Sequence, residues 1–125
     1  MSGPQIERLP ALVNADEWLV HRGRFLDVDW MLEVGDAEYL IHVRTGRIAS
    51  VERGPFVMPR WRFALRASAE DWATFWRASP PPGYHDLVAM MKFKRLRLEG
   101  DPYPFMTHLR YFKDLLGRLR EGAAS

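Results

Sequence analysis

Between residues 25 and 67 apolar and polar side chains alternate with a period of two, and the alternation restarts after each glycine-bearing break. In "FLDVDWMLEVGD", Leu26, Val28, Trp30, Leu32 and Val34 fall on one side, with Asp27, Asp29 and Glu33 on the other. After Gly35-Asp36, Tyr39, Ile41 and Val43 oppose Glu38, His42 and Arg44. Thr45-Gly46 is a second turn, "RIASVERG" a weaker strand, and "RWRFALRA" sets Trp61, Phe63, Leu65 and Ala67 against Arg60, Arg62 and Arg66. Such alternation marks strands with one dry face, and four of them in succession predict an antiparallel meander.

Helical spacing flanks the strands. Asn14 is placed to cap a short helix ending at Gly23, with Glu17 at its third position. Ser68, three residues before Asp71, opens a helix carrying Trp72, Phe75 and Trp76, and Pro80-Pro81-Pro82 stops it. A short helix over 84–92 then changes period inside "LVAMMKFKRLRLEGD" and becomes a fifth strand at 95–99. From Pro102 to about Arg120 a last helix carries the stripe Phe105, Leu109, Phe112, Leu116 and Leu119, before a tail at 121–125 expected to fray. One-sided sheets need cover. The expectation is an α+β two-layer sandwich: one domain over 1–125, with helices over one face of a five-stranded, mainly antiparallel sheet.

Composition narrows the function. With 125 residues and 47% apolar content the chain can bury a core without staples. It has no cysteine, which removes disulfides, thiolate metal sites and cysteine nucleophiles. A net charge of +2 with interleaved acids argues against nucleic acid as partner. There is no apolar run of bilayer length and no secretory pattern in "MSGPQIERLP", so a soluble cytoplasmic domain is expected. No HExxH, GxSxG, phosphate-cradling loop or paired metal-ligand spacing is present, and neither cofactor nor metal is expected.

Three segments resemble the sterol carrier protein 2 family of sterol- and lipid-binding domains. They are the strand and capped helix "WRFALRASAEDWATFW", the stretch "AMMKFKRLRLEGD", and the amphipathic helix after it; the resemblance covers about 25–119. It departs at Lys94, where family members commonly place a glycine. The resemblance implies an apolar tunnel between sheet and helices for a sterol, fatty acid or fatty acyl-CoA. The expected protein is a non-enzymatic carrier, with a hydrolase-like activity using His85 as a weaker alternative.

On that reading Trp72, Phe75 and Trp76 form one wall, the adaptable Met90 and Met91 another, and Phe105, Leu109 and Phe112 the floor. Tyr84 and His85, after the proline run, stand at the mouth, where they can meet a ligand's polar head. The same stripes also read as plain core packing. Lys92, Lys94, Arg95 and Arg97, with Arg60, Arg62 and Arg66 if their strands are neighbours, suit transient contact with anionic headgroups, or else simply keep a sheet soluble. Trp18 and Trp30 read as core, Trp61 and Trp76 as rim, and His42 as a solvated position. Adjacent residues on a helix do not face one another, which argues against a His85–Asp86 dyad. The alternative function is a ligand-free interaction or dimerisation module supporting a partner enzyme, with a homodimer as one form.

Overall fold

The computed structural model describes residues 6–120. A 3-10 turn (Ile6–Arg8), α1 (Leu9–Asn14) and α2 (Glu17–Arg22) precede β1 (Val28–Val34), β2 (Ala37–Arg44), β3 (Arg47–Arg53) and β4 (Phe63–Ala67). Then come α3 (Ala69–Phe75), α4 (Leu87–Lys92), β5 (Arg97–Gly100), α5 (Tyr103–Thr107) and α6 (Leu109–Gly117). This is the expected α+β sandwich, with a five-stranded sheet of order β3-β2-β1-β4-β5. The tail at 121–125 and the first five residues of the N-terminal stretch lie outside the described residues.

The four-strand meander does not form. Strands β1 to β3 are antiparallel neighbours, but β4 pairs parallel with β1, Trp30 opposite Phe63 and Val34 opposite Ala67. The break at 54–62 is too long for a tight hairpin, whose loops run to about five residues. It carries the chain from the Tyr39 end of β2 to the Asp29 end of β1, anchored by Gly54 N–H to Glu38 O (2.8 Å) and Arg62 N–H to Asp29 O (2.7 Å). β4 starts only at Phe63, so Trp61 lies outside the strand alternation, half-buried and 5.7 Å from the Arg66 guanidinium.

Two entry residues change roles. Asn14 ends α1 instead of capping α2; the cap is Asp16, which accepts from Leu19 N (3.1 Å). The Asn14 amide instead grips β3, donating to Ile48 O at 3.0 Å and accepting from Ile48 N at 2.8 Å. The last helix is likewise two helices, broken at His108 (φ −113°, ψ 33°).

Inward side chains of the sheet join those of the helices in one apolar core. The outer face carries charge ladders. His42 Nδ1 meets Asp29 (2.8 Å), its Nε2 meets Glu52 (2.6 Å), and Arg44 also meets Asp29 (2.8 Å). His42 is therefore a half-buried member of an ion network, where simple alternation had suggested a solvated residue. Arg66, opposite Arg97 on the neighbouring β5, lies between Glu33 and Glu99.

Candidate functional site

Each helix near the proposed wall is fixed by its cap. Ser68 Oγ accepts from Asp71 N (3.0 Å), starting α3 so that Trp72 and Phe75 face inward. The indole N–H of Trp72 donates to Glu33 O (2.8 Å) and that of Trp76 to Leu116 O (2.9 Å), which ties α3 to β1 and α6. Asp86 accepts from Ala89 N (2.7 Å) and caps α4, which starts at Leu87, three residues later than the expected start at Tyr84. Lys94 stands at φ +60°, the left-handed turn after a helix where glycine usually serves. The chain keeps that backbone geometry with a lysine. Phe93 belongs to this turn and points to solvent, so the strand begins at Arg97 and not at residue 95.

Inside, Trp72, Phe75, Trp76, Met90, Phe105 and Phe112 are all buried. They sit in two aromatic groups. Trp72 stacks on Trp76 with centroids 5.2 Å apart, and Phe75 meets Trp72 edge-on at 5.7 Å. Phe105 and Phe112 join Phe63 and Trp30, with centroids 5.2 to 5.6 Å apart. Ring contacts at such distances leave no gap between these members. A guest here must part them. Strand alternation marks Trp30 and Phe63 as inward-facing but does not show that they meet Phe105 and Phe112 on the helices. The Trp30 indole N–H is fully buried and has no hydrogen-bond acceptor among the described residues.

Leu109 does reach an opening. Leu87, Val88 and Leu109 line an apolar cleft of about 220 Å³ between α4 and α6, with Asp86 and Lys113 at its rim. Leu87 belongs to the core and Leu109 packs against it, so the cleft adjoins the aromatic interior. Val88 (45% exposed) was visible in the sequence as an apolar letter, but its outward placement depends on where α4 begins. His85 is exposed beside this rim, and its Nε2 lies 3.4 Å from Asp86 Oδ2. That pair can meet because both residues precede α4. Tyr84 instead donates to Asp71 (2.9 Å), under the Arg95 guanidinium 4.7 Å from its ring. Met91 is half-buried.

The tryptophans sort differently from expectation. Trp30 is core, but Trp18 is 81% exposed on the short α2, and Trp76 is core, not rim. Lys94, Arg95 and Arg97 line one polar cleft with Arg66, which also holds Glu33, Asp36 and Asp71. The basic cluster is therefore partly neutralised.

Among solved structures the chain superposes on sterol carrier protein 2 with a TM-score of 0.73 at 13% identity, covering 90% of this chain and 91% of that one. A conserved hypothetical protein of Thermus thermophilus, described as possibly a sterol carrier protein, gives 0.69 at 11% identity over 98% and 94%. The UbiJ-SCP2 ubiquinone synthesis protein gives 0.58 at 16% identity over 91% and 87%. No family model and no curated protein matches the sequence. The protein has the sterol carrier protein 2 fold. The particular relationship is one of architecture, which the expected sandwich and resemblance had anticipated.

Proposed function

We propose that the protein binds a hydrophobic small molecule, a fatty acid, fatty acyl-CoA or sterol-like compound, and that it is a carrier and not an enzyme. The observation that carries this reading is the apolar cleft of Leu87, Val88 and Leu109, which adjoins the Met90, Phe105 and Phe112 interior. Its 220 Å³ falls below the roughly 300–1,000 Å³ of usual ligand sites, so binding widens it. Met90 and Met91 are the adaptable wall for that movement, and Trp72, Phe75 and Trp76 the stiff one. Apolar burial drives entry at about 25 cal/mol per Å². The unpartnered Trp30 N–H offers an acceptor-seeking donor inside, while Lys113 and His85 serve a polar head near the rim. Exchange with membranes would use basic surface that includes Lys92, Lys94, Arg95 and Arg97. No helix among the described residues is long and apolar enough to cross a membrane.

A thermal-shift titration with oleate and with cholesterol tests this. Binding raises the melting temperature in proportion to the logarithm of ligand concentration, and Leu109→Trp, which fills the cleft, removes the rise. No shift with either compound contradicts the reading. Two observations favour the alternative of a partner-supporting module. The interior is closed ring on ring, and the same fold matches 15% of a much longer chain, the sec-alkylsulfatase Pisa1 from Pseudomonas sp. (TM-score 0.54, 13% identity, 85% of this chain). A homodimer or a stable partner complex without any bound lipid would support it.

A further inference from the structure

Val57 and Met58 are consecutive and 93% and 90% exposed. They lie on the 54–62 segment that crosses from β3 to β4. Met58 is held at φ +50°, a conformation that disfavours a side chain, and yet its apolar group stands in water. Charge along this segment of the chain is of one sign. Residues 53–68 contain four arginines and no acid. Arg66 is engaged by Glu33 and Glu99, and Arg62 reaches the exposed Asp101 at 3.4 Å. Arg53 and Arg60 form no ion pair among the described residues.

Next to the tip is a cleft of about 480 Å³ lined by Arg44, Arg60, Trp61, Arg62, Asp27 and Asp29. Its acids are already engaged. Asp29 pairs with Arg44 and His42, and Asp27 accepts from Thr45 N at 2.7 Å. Arg62 is shared with Asp101, and Arg60 is the lining arginine with no ion pair among the described residues.

We infer that this segment is a membrane anchor. Val57 and Met58 enter the interface of an anionic bilayer, Trp61 lies at headgroup depth, and Arg53, Arg60 and Arg62 meet lipid phosphates. Two apolar side chains ringed by arginine suit a bilayer, which takes a small wedge and supplies many phosphates. They are too little for a stable protein interface, which needs about 800 Å² per partner. The cleft at Lys94, Arg95 and Arg97 holds three acids and borders no comparable pair of exposed apolar residues on a turn. Trp61 and the outer-face residues Asp29 and Arg44 put this surface on the side of the sheet away from the helices. Docking here leaves the α4–α6 cleft unobstructed and does not depend on a ligand being bound.

The test is sedimentation with phosphatidylcholine vesicles with and without phosphatidylserine, on the full chain. The wild type binds the anionic vesicles preferentially. Arg60→Gln weakens binding roughly fivefold, the effect of one basic residue at an anionic surface. The double variant Val57→Ser, Met58→Ser weakens it roughly tenfold or more through lost apolar insertion. Neither variant shifts the melting temperature, because these side chains are in water. The chain has no cysteine, so Met58→Cys takes a single environment-sensitive dye, whose emission shifts to the blue on insertion. Three results each overturn the proposal: equal binding to neutral vesicles or none at all, full binding by the serine variant, or a dye that stays in water. Loss of a protein partner's binding by the serine variant, with vesicles ignored by the wild type, reassigns the surface to a protein.

Discussion

The Tyr111 hydroxyl donates to the backbone carbonyl of Gly46 at 2.7 Å, across 65 residues of sequence, and pins α6 to the β2–β3 turn. Both partners are buried, and burial holds the phenol well above its ordinary pKa, so it stays a donor at all physiological pH. Tyr111→Phe leaves the carbonyl unsatisfied and costs about 1–3 kcal/mol in urea unfolding. Gly46→Ala is worse. Gly46 sits at φ +80°, and a Cβ there would come within 2.3 Å of Val20 O, a backbone atom that cannot swing away. A lower expression yield or a melting temperature below that of Tyr111→Phe is the expected result.

The His42 network makes stability depend on pH. Burial lowers the His42 pKa, but hydrogen bonds and charges from Asp29 and Glu52 outweigh it and raise the value above 6.5. Burial raises Asp29, but hydrogen bonds from Arg44 and His42, with their charges, hold it below 3.8. The histidine contribution is complete below its unfolded pKa of 6.5 and is lost as pH climbs through the raised folded value. The aspartate contribution is present above 3.8 and is lost as pH falls through the depressed one. Melting temperatures of wild type and His42→Ala therefore differ most between these limits and converge in alkali. A constant gap across pH would show that His42 acts by packing alone.

Lys94→Gly stabilises the protein. Lys94 is exposed at φ +60° beyond the end of α4, where an L side chain costs about 1–2 kcal/mol. Glycine relieves this and gives back part of the gain as unfolded-chain entropy, so the net rise is about 0.5–1 kcal/mol. Urea midpoints with unchanged m-values check it.

The legibility of the fold followed the range of each signal. Alternation is local, so the inward set Trp30, Leu32, Ile41, Val43, Phe63 and Leu65 was readable and is buried. Pairing partners are not local. Nothing in "GPFVMPRW" distinguishes a long turn from a crossing, and β4 consequently joined β1 in parallel instead of extending the meander. Helix starts misled where two acids or amides compete as caps: Asp16 displaced Asn14, whose amide bonds to Ile48 34 residues away. For the candidate site, the stripes correctly marked side chains that pack together. Which of them border an opening depends on helix orientation, and that brought Leu87 and Val88 to the cleft beside Leu109.

Native mass spectrometry of the gently purified protein, set against its denatured mass, tests hydrophobic ligand binding most directly. A bound ligand gives extra mass that disappears on denaturation, extracts into organic solvent as a lipid, and is absent from Leu109→Trp. A bare native mass that stays bare after incubation with oleate and cholesterol, above all as a dimer, would contradict it.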